Sequence, residues 1–147
     1  MSTAALWAAW VCAAVNLAAG GWGAWRWWTV DASRLFWVLA RTGQAAAVAQ
    51  ALVAGVLFAA GYDPPDGLYW LYALLPVAIG VVAEQLRILS AEQVLERREL
   101  AGVEALRARP EAEQRSVVRE IVRREIGVMT VAAIVVAFLA LRAALIV

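Results

Sequence analysis

Lysine and histidine are absent from these 147 residues, and cysteine occurs once. Each absence removes a chemistry. Without histidine there is no imidazole to ligate a haem or a metal ion, and the commonest general base is missing. Without lysine there is no Schiff-base amine. A lone Cys12 permits neither an internal disulfide nor a dithiol redox pair, and on an apolar stretch it reads as a packing residue. The net charge of +1 gives no global attraction to nucleic acid. The N-terminal Met-Ser-Thr-Ala-Ala-Leu-Trp lacks the positive region of a secretory signal, so the first apolar stretch is expected to be retained. The expectation is a non-enzyme with no cofactor and no metal.

What is present is apolar. Hydrophobic residues make up 64% of the chain and the mean hydropathy is +0.71, against about half apolar in an ordinary soluble domain. A chain this short has too small an interior for the excess, so lipid is its expected solvent. A membrane span needs roughly 20 mostly apolar residues, and four stretches qualify: about 4–24, 35–60, 68–89 and 126–147. The fold class expected is all-α, a single four-helix transmembrane bundle over 1–147. A cytoplasmic helical hairpin over about 90–125 is expected to extend the third and fourth helices. Between the first two spans lies a Trp-Arg-Trp-Trp segment read as loop, with Ser33 as a cap for the second helix. The Gly61-Tyr62-Asp63-Pro64-Pro65-Asp66-Gly67 run is turn chemistry, and its two carboxylates are read as a rigid turn rather than a cation site.

Orientation follows from arginine. The connection 87–125 holds nine arginines and eight glutamates, while the 63–67 turn holds no arginine. The positive-inside rule then places the long connection in the cytoplasm and both termini outside. Arg142 lies near the outer end of its helix, within reach of the headgroups. The aromatics agree: Trp7, Trp10, Tyr62, Tyr69, Trp70 and Tyr72 mark an outer boundary, and Trp22, Trp25, Trp27, Trp28 and Trp37 an inner one.

The near-balance of charge in the long connection describes a salt-bridged helical surface, not a polybasic patch. Ile88, Ala91, Leu95, Val103 and Leu106 fall in one arc, so the third helix is expected to run on to the Arg107–Pro110 break. Pro110 suits the first turn of a new helix, with Glu111 and Glu113 at its positive end. That helix presents Val118, Ile121, Val122 and Glu125 along one side. Leu95, Val103, Leu106, Val118, Ile121 and Val122 form the candidate docking edge for a protein partner or a second copy.

Ionisable groups at membrane depth mark a pathway, a site or a pair. Arg41, Glu84 and Arg87 are the candidates, with Asn16, Gln44, Gln50 and Gln85 as polar company. Helical rise puts Arg41 about 9 Å in from the inner face and Glu84 about 6 Å from it. An Arg41–Glu84 pair is expected between the second and third helices; the alternative pairs Glu84 with Arg87 one turn on. Gly43, Ala47, Ala51 and Gly55 recur every four residues as a small-residue ridge. Tyr72, Pro76, Gly80 and Glu84 do the same on the third helix, and Pro76 bends it and either accommodates a neighbour or lines a wet crevice.

The stretch Asp66-Gly67-Leu68-Tyr69-Trp70-Leu71-Tyr72-Ala73-Leu74-Leu75-Pro76, with Ala83-Glu84-Gln85-Leu86-Arg87, resembles small membrane proteins of high-GC actinobacteria that have no known activity. The lysine-free, arginine-rich composition fits such a host. The resemblance implies a source and no mechanism. The function expected from the residues is a non-catalytic accessory or scaffold subunit of a membrane complex. The alternative is a small oligomeric transporter or channel, with Glu84 and Arg41 as a proton or cation site.

Overall fold

A computed structural model describes residues 2–147. It is all-helical: α1 Ser2–Thr29, α2 Arg34–Ala59, α3 Leu68–Arg97, a five-residue α4 Val103–Arg107 and α5 Glu111–Leu145. Four of these helices, α1, α2, α3 and α5, are long and apolar enough to cross a membrane. They close into a ring in which α1 packs on α2, α2 on α3, α3 on α5 and α5 back on α1.

The ring is built from small residues at alternating spacings of four and three. Ala5, Ala9, Cys12, Asn16, Ala19 and Gly23 of α1 are buried. So are Phe36, Ala40, Gly43, Ala47, Gln50, Ala54 and Leu57 of α2. An average of 3.5 residues keeps one stripe facing a neighbour that crosses at a shallow angle. The expected four-residue ridge on α2 is therefore only half correct. Gly43 and Ala47 belong to the seam, but Ala51 is only partly buried and Gly55 faces outward, where an added Cβ would meet nothing within 4 Å. Large side chains take the perimeter, among them Leu52, Val56, Phe58, Val82 and Phe138.

The helix ends differ from expectation at two places. The Trp-Arg-Trp-Trp segment is not loop but the last turns of α1. Nothing in it breaks a helix, and Arg26 suits the negative dipole end. Thr29 Oγ1 donates back to the Trp25 carbonyl at 3.2 Å, and the chain leaves the helix only at Val30, whose φ is 51°. The third helix likewise stops at Arg97, ten residues short of the expected break. Glu99 takes φ 55°, the Leu100 N–H donates to the Leu95 carbonyl at 2.9 Å, and the Glu99 N–H donates to Glu96 at 3.0 Å. Those two bonds are a Schellman stop, and Leu100 folds into an apolar contact with Leu95. Gly61 closes α2 in the same way, with φ 75° and the Tyr62 N–H on the Leu57 carbonyl.

Near the C-terminal end of α3 and the N-terminal end of α5, Val94, Leu100 and Val117 pack together, with Ala105 and Leu106 of α4 against them. Arg98 binds Glu120 at 3.0 Å across this contact, and Glu111 and Arg115 pair along α5. At the opposite end Tyr62, Tyr69, Trp70 and Phe58 meet edge to face. Tyr69, expected in the outer belt, is instead buried in the bundle's end with Ala5, Ala9, Ala73 and Ala143.

Candidate functional site

The site grows from where α2 and α3 bring their charges. Arg41 stands two turns into α2 and Glu84 four turns into α3, on antiparallel helices, so the two arrive at one level. Arg41 Nη1 lies 2.5 Å from Glu84 Oε1. Gln44, one turn along α2, accepts from Arg41 Nη1 at 2.8 Å and donates through Nε2 to Glu84 Oε1 at 2.9 Å. The other carboxylate oxygen, Oε2, accepts from Arg87 Nε at 3.1 Å. The two pairings posed as alternatives thus coexist, because a carboxylate has two oxygens and its partners approach from opposite sides.

The chain of charges continues. Arg87 Nη1 lies 3.4 Å from Glu125 Oε1 on α5, and the Arg87 guanidinium sits 5.6 Å from the centre of the Trp37 ring. Arg41, Glu84, Arg87 and Glu125 therefore alternate in sign, sum to zero and tie α2, α3 and α5 together. Alternation of this kind satisfies charges that lipid cannot solvate. Glu84, Arg87 and Glu125 are about one-quarter exposed or less, whereas Arg41 keeps half its side chain exposed. Glu125 was not among the candidate site residues. Its signal lay in its position, one residue before the fourth apolar run.

Two expected members stand elsewhere. Gln85 points outward. Asn16 belongs to the α1–α2 seam, where Nδ2 donates to the Cys12 carbonyl at 2.9 Å and across the interface to the Gly43 carbonyl at 3.1 Å. Gln50 is 2% exposed, and neither of its amide atoms has a hydrogen-bond partner among the described residues; the Thr130 hydroxyl is in the same condition. Asp66 uses Oδ1 to accept the Leu68 N–H at 2.9 Å and so begins α3.

The candidate docking edge divides. Leu95, Leu106 and Ile121 turn inward against Val94, Leu100 and Val117. Val122 packs toward Phe36, Ala83 and Ile126. Only Val103 and Val118 are half exposed or more. The sequence arc had merged the inner face of the extension with its outer one.

Two spaces adjoin the charge chain. A central void of about 20 Å³ lies among Asn16, Gly43, Gln44, Pro76 and Gly80, room for about one water. A shallow groove of about 210 Å³ between α2 and α3 runs past Pro76 and Gly80 to Glu84, with Val48 and Val81 on its rim. No protein-family model matches this chain, and no curated protein or solved structure is significantly similar to it. The resemblance to actinobacterial membrane proteins gains no support from them.

Proposed function

We propose that the chain is a non-catalytic multi-pass subunit of the cytoplasmic membrane, a scaffold that holds its own bundle rigid and offers its extramembrane helices to a protein partner. The observation that carries this reading is the saturation of Glu84. Both its oxygens are engaged, by Arg41 and Gln44 on one side and Arg87 on the other. A carboxylate clamped between two guanidinium groups is a brace, its oxygens already engaged by the chain's own donors. The void beside it is too small for a pathway through one copy.

The orientation proposed has the α3–α5 extension in the cytoplasm and both termini outside. It rests on the nine arginines of the 87–125 connection against none in the 63–67 turn. Val103 and Val118 are the apolar residues this extension leaves to a partner. Gentle-detergent purification from native membranes tests the reading. A stoichiometric partner retained by the wild type and lost from Val103→Glu/Val118→Glu is the expected result. Recovery of this chain alone would count decisively against a scaffold.

One observation favours a second reading. The groove that ends at Glu84 opens sideways between α2 and α3, so a second copy laid over it would enclose it as a lumen. That transporter needs Glu84 to change charge. In liposomes it predicts lost solute or proton flux for Glu84→Gln; equal flux for variant and wild type ends it.

A further inference from the structure

A second groove, of about 900 Å³, lies along α3 and α5, with Trp27 of α1 among its lining residues. That volume lies within the range of clefts that hold ligands, about 300–1,000 Å³. Its two walls differ along their length. Toward the middle of the two helices they are aliphatic, with Ile79 and Val82 on α3 and Val128, Val131 and Val135 on α5. At the end toward the extension they turn polar, with Ser90 on α3 and Glu120, Arg123 and Arg124 on α5.

The polar end carries excess positive charge. Glu120 is already shared, with Arg98 at 3.0 Å and Arg124 at 3.5 Å. Arg123 has no ion-pair partner among the described residues. The groove's polar end therefore holds two guanidinium groups, Arg123 and Arg124, against one carboxylate that Arg98 also engages from outside it. The groove's length is also informative. From Arg124 to Val135 a helix rises about 16 Å, and α3 covers the same distance from Ser90 back to Ile79. Half of a hydrocarbon core of about 30 Å is about 15 Å. The groove begins where headgroups lie and ends near the bilayer midplane.

We infer that this groove is a binding site for one anionic phospholipid, drawn from the leaflet on the side of the extension. Its phosphate and headgroup sit against Arg123 and Arg124, and an acyl chain lies between α3 and α5 along Leu86, Val82 and Val131. The aliphatic walls accept any acyl chain, so selectivity resides in the two arginines. A guanidinium presents a fork of donors that matches phosphate geometry. The site goes beyond the scaffold reading and needs only that the bundle lies in a bilayer.

The test is native mass spectrometry of the full chain released from non-ionic detergent, with dioleoylphosphatidylglycerol or dioleoylphosphatidylcholine added. The anionic lipid is expected to stay bound about tenfold more tightly, a preference that Arg123→Gln/Arg124→Gln removes. Val131→Trp, which fills the groove, is expected to weaken both lipids. Arg97→Gln/Arg107→Gln removes the same charge outside the groove and is expected to leave the preference intact; the variant also controls for general electrostatics and folding. Equal binding of the two lipids, or an equal loss in the control variant, overturns the site. So does disulfide dimerisation of Val131→Cys in a Cys12→Ala background, since a second copy would then be the occupant.

Discussion

The amide of Asn16 reaches across from α1 to the Gly43 carbonyl of α2 at 3.1 Å, and it can do so only because Gly43 has no side chain. A Cβ at position 43 would stand 2.6 Å from Asn16 Oδ1. Gly43→Ala is therefore expected to displace the amide and cost about 1–2 kcal/mol, a lost interhelical bond plus local overpacking. Gly55→Ala is the matched control. It meets open space and is expected to be neutral or to gain up to about 1 kcal/mol of helix propensity. Unfolding of the two variants in mixed micelles compares them directly, and equal effects would refute the assigned seam.

Removing one member of the charge chain is expected to matter according to what it leaves behind. Glu84→Gln leaves Arg41 without an anion and Arg87 with Glu125 alone, at 3.4 Å, and about 2–3 kcal/mol of stability is expected to go. Arg41→Gln removes the half-exposed end of the chain, and Glu84 keeps Arg87; about 1 kcal/mol is expected. Equilibrium unfolding of the single and double variants gives the coupling between them. A coupling near zero would show that the 2.5 Å contact contributes nothing.

Val30 and Glu99 adopt left-handed backbone, with φ of 51° and 55°. For residues with a Cβ that conformation costs about 1–2 kcal/mol, and for β-branched Val30 it is the more unusual. Val30→Gly and Glu99→Gly are each expected to stabilise by up to about 1 kcal/mol, less than the strain because glycine also loosens the unfolded chain. Raised melting temperatures check this. A fall at either position would mean that the native side chain gives more than its backbone loses.

Gln50 carries the opposite prediction to a conserving instinct. Its amide is buried without partners among the described residues, a condition that costs about 1–3 kcal/mol. Gln50→Leu keeps the volume and drops the polar atoms, so stability is expected to rise by about 1–2 kcal/mol. Thermal unfolding in lipid nanodiscs decides it. A loss instead would show that this amide has work to do in the bilayer.

The large features of this fold were legible because lipid imposes them. Four runs of apolar residues and a Pro-Pro turn gave the four long helices, though α3 runs on to Arg97 and α5 begins at Glu111, well before its apolar run; helical rise brought Arg41 and Glu84 to one level. Ser33 was also legible: it caps α2 by accepting the Phe36 N–H at 3.3 Å, and its side chain further accepts from Trp22 Nε1. Packing detail was not. Gly43 and Ala47 satisfy both a repeat of four and a repeat of three and four, and the two diverge only at Gln50, where a polar residue disguised the seam. The stop at Arg97 was hidden because Glu99, not glycine, takes the left-handed position. Glu125 was passed over because its partner Arg87 lies thirty-eight positions away in sequence, and only the crossing of α3 with α5 brings them together.

Helix α5 runs without interruption from Glu111 to Leu145, a rod of about 52 Å fastened in the ring along its apolar length and held nearer its tip where Val117 meets Val94 and Leu100. A rod cannot tilt at one end alone. In a thinner bilayer the fastened part leans to hide its apolar length, and the tip swings sideways by a proportionate arc, carrying Val118 with it. A change of bilayer thickness is thus expected to reach Val118 as a displacement, carried by the stiffness of one unbroken helix.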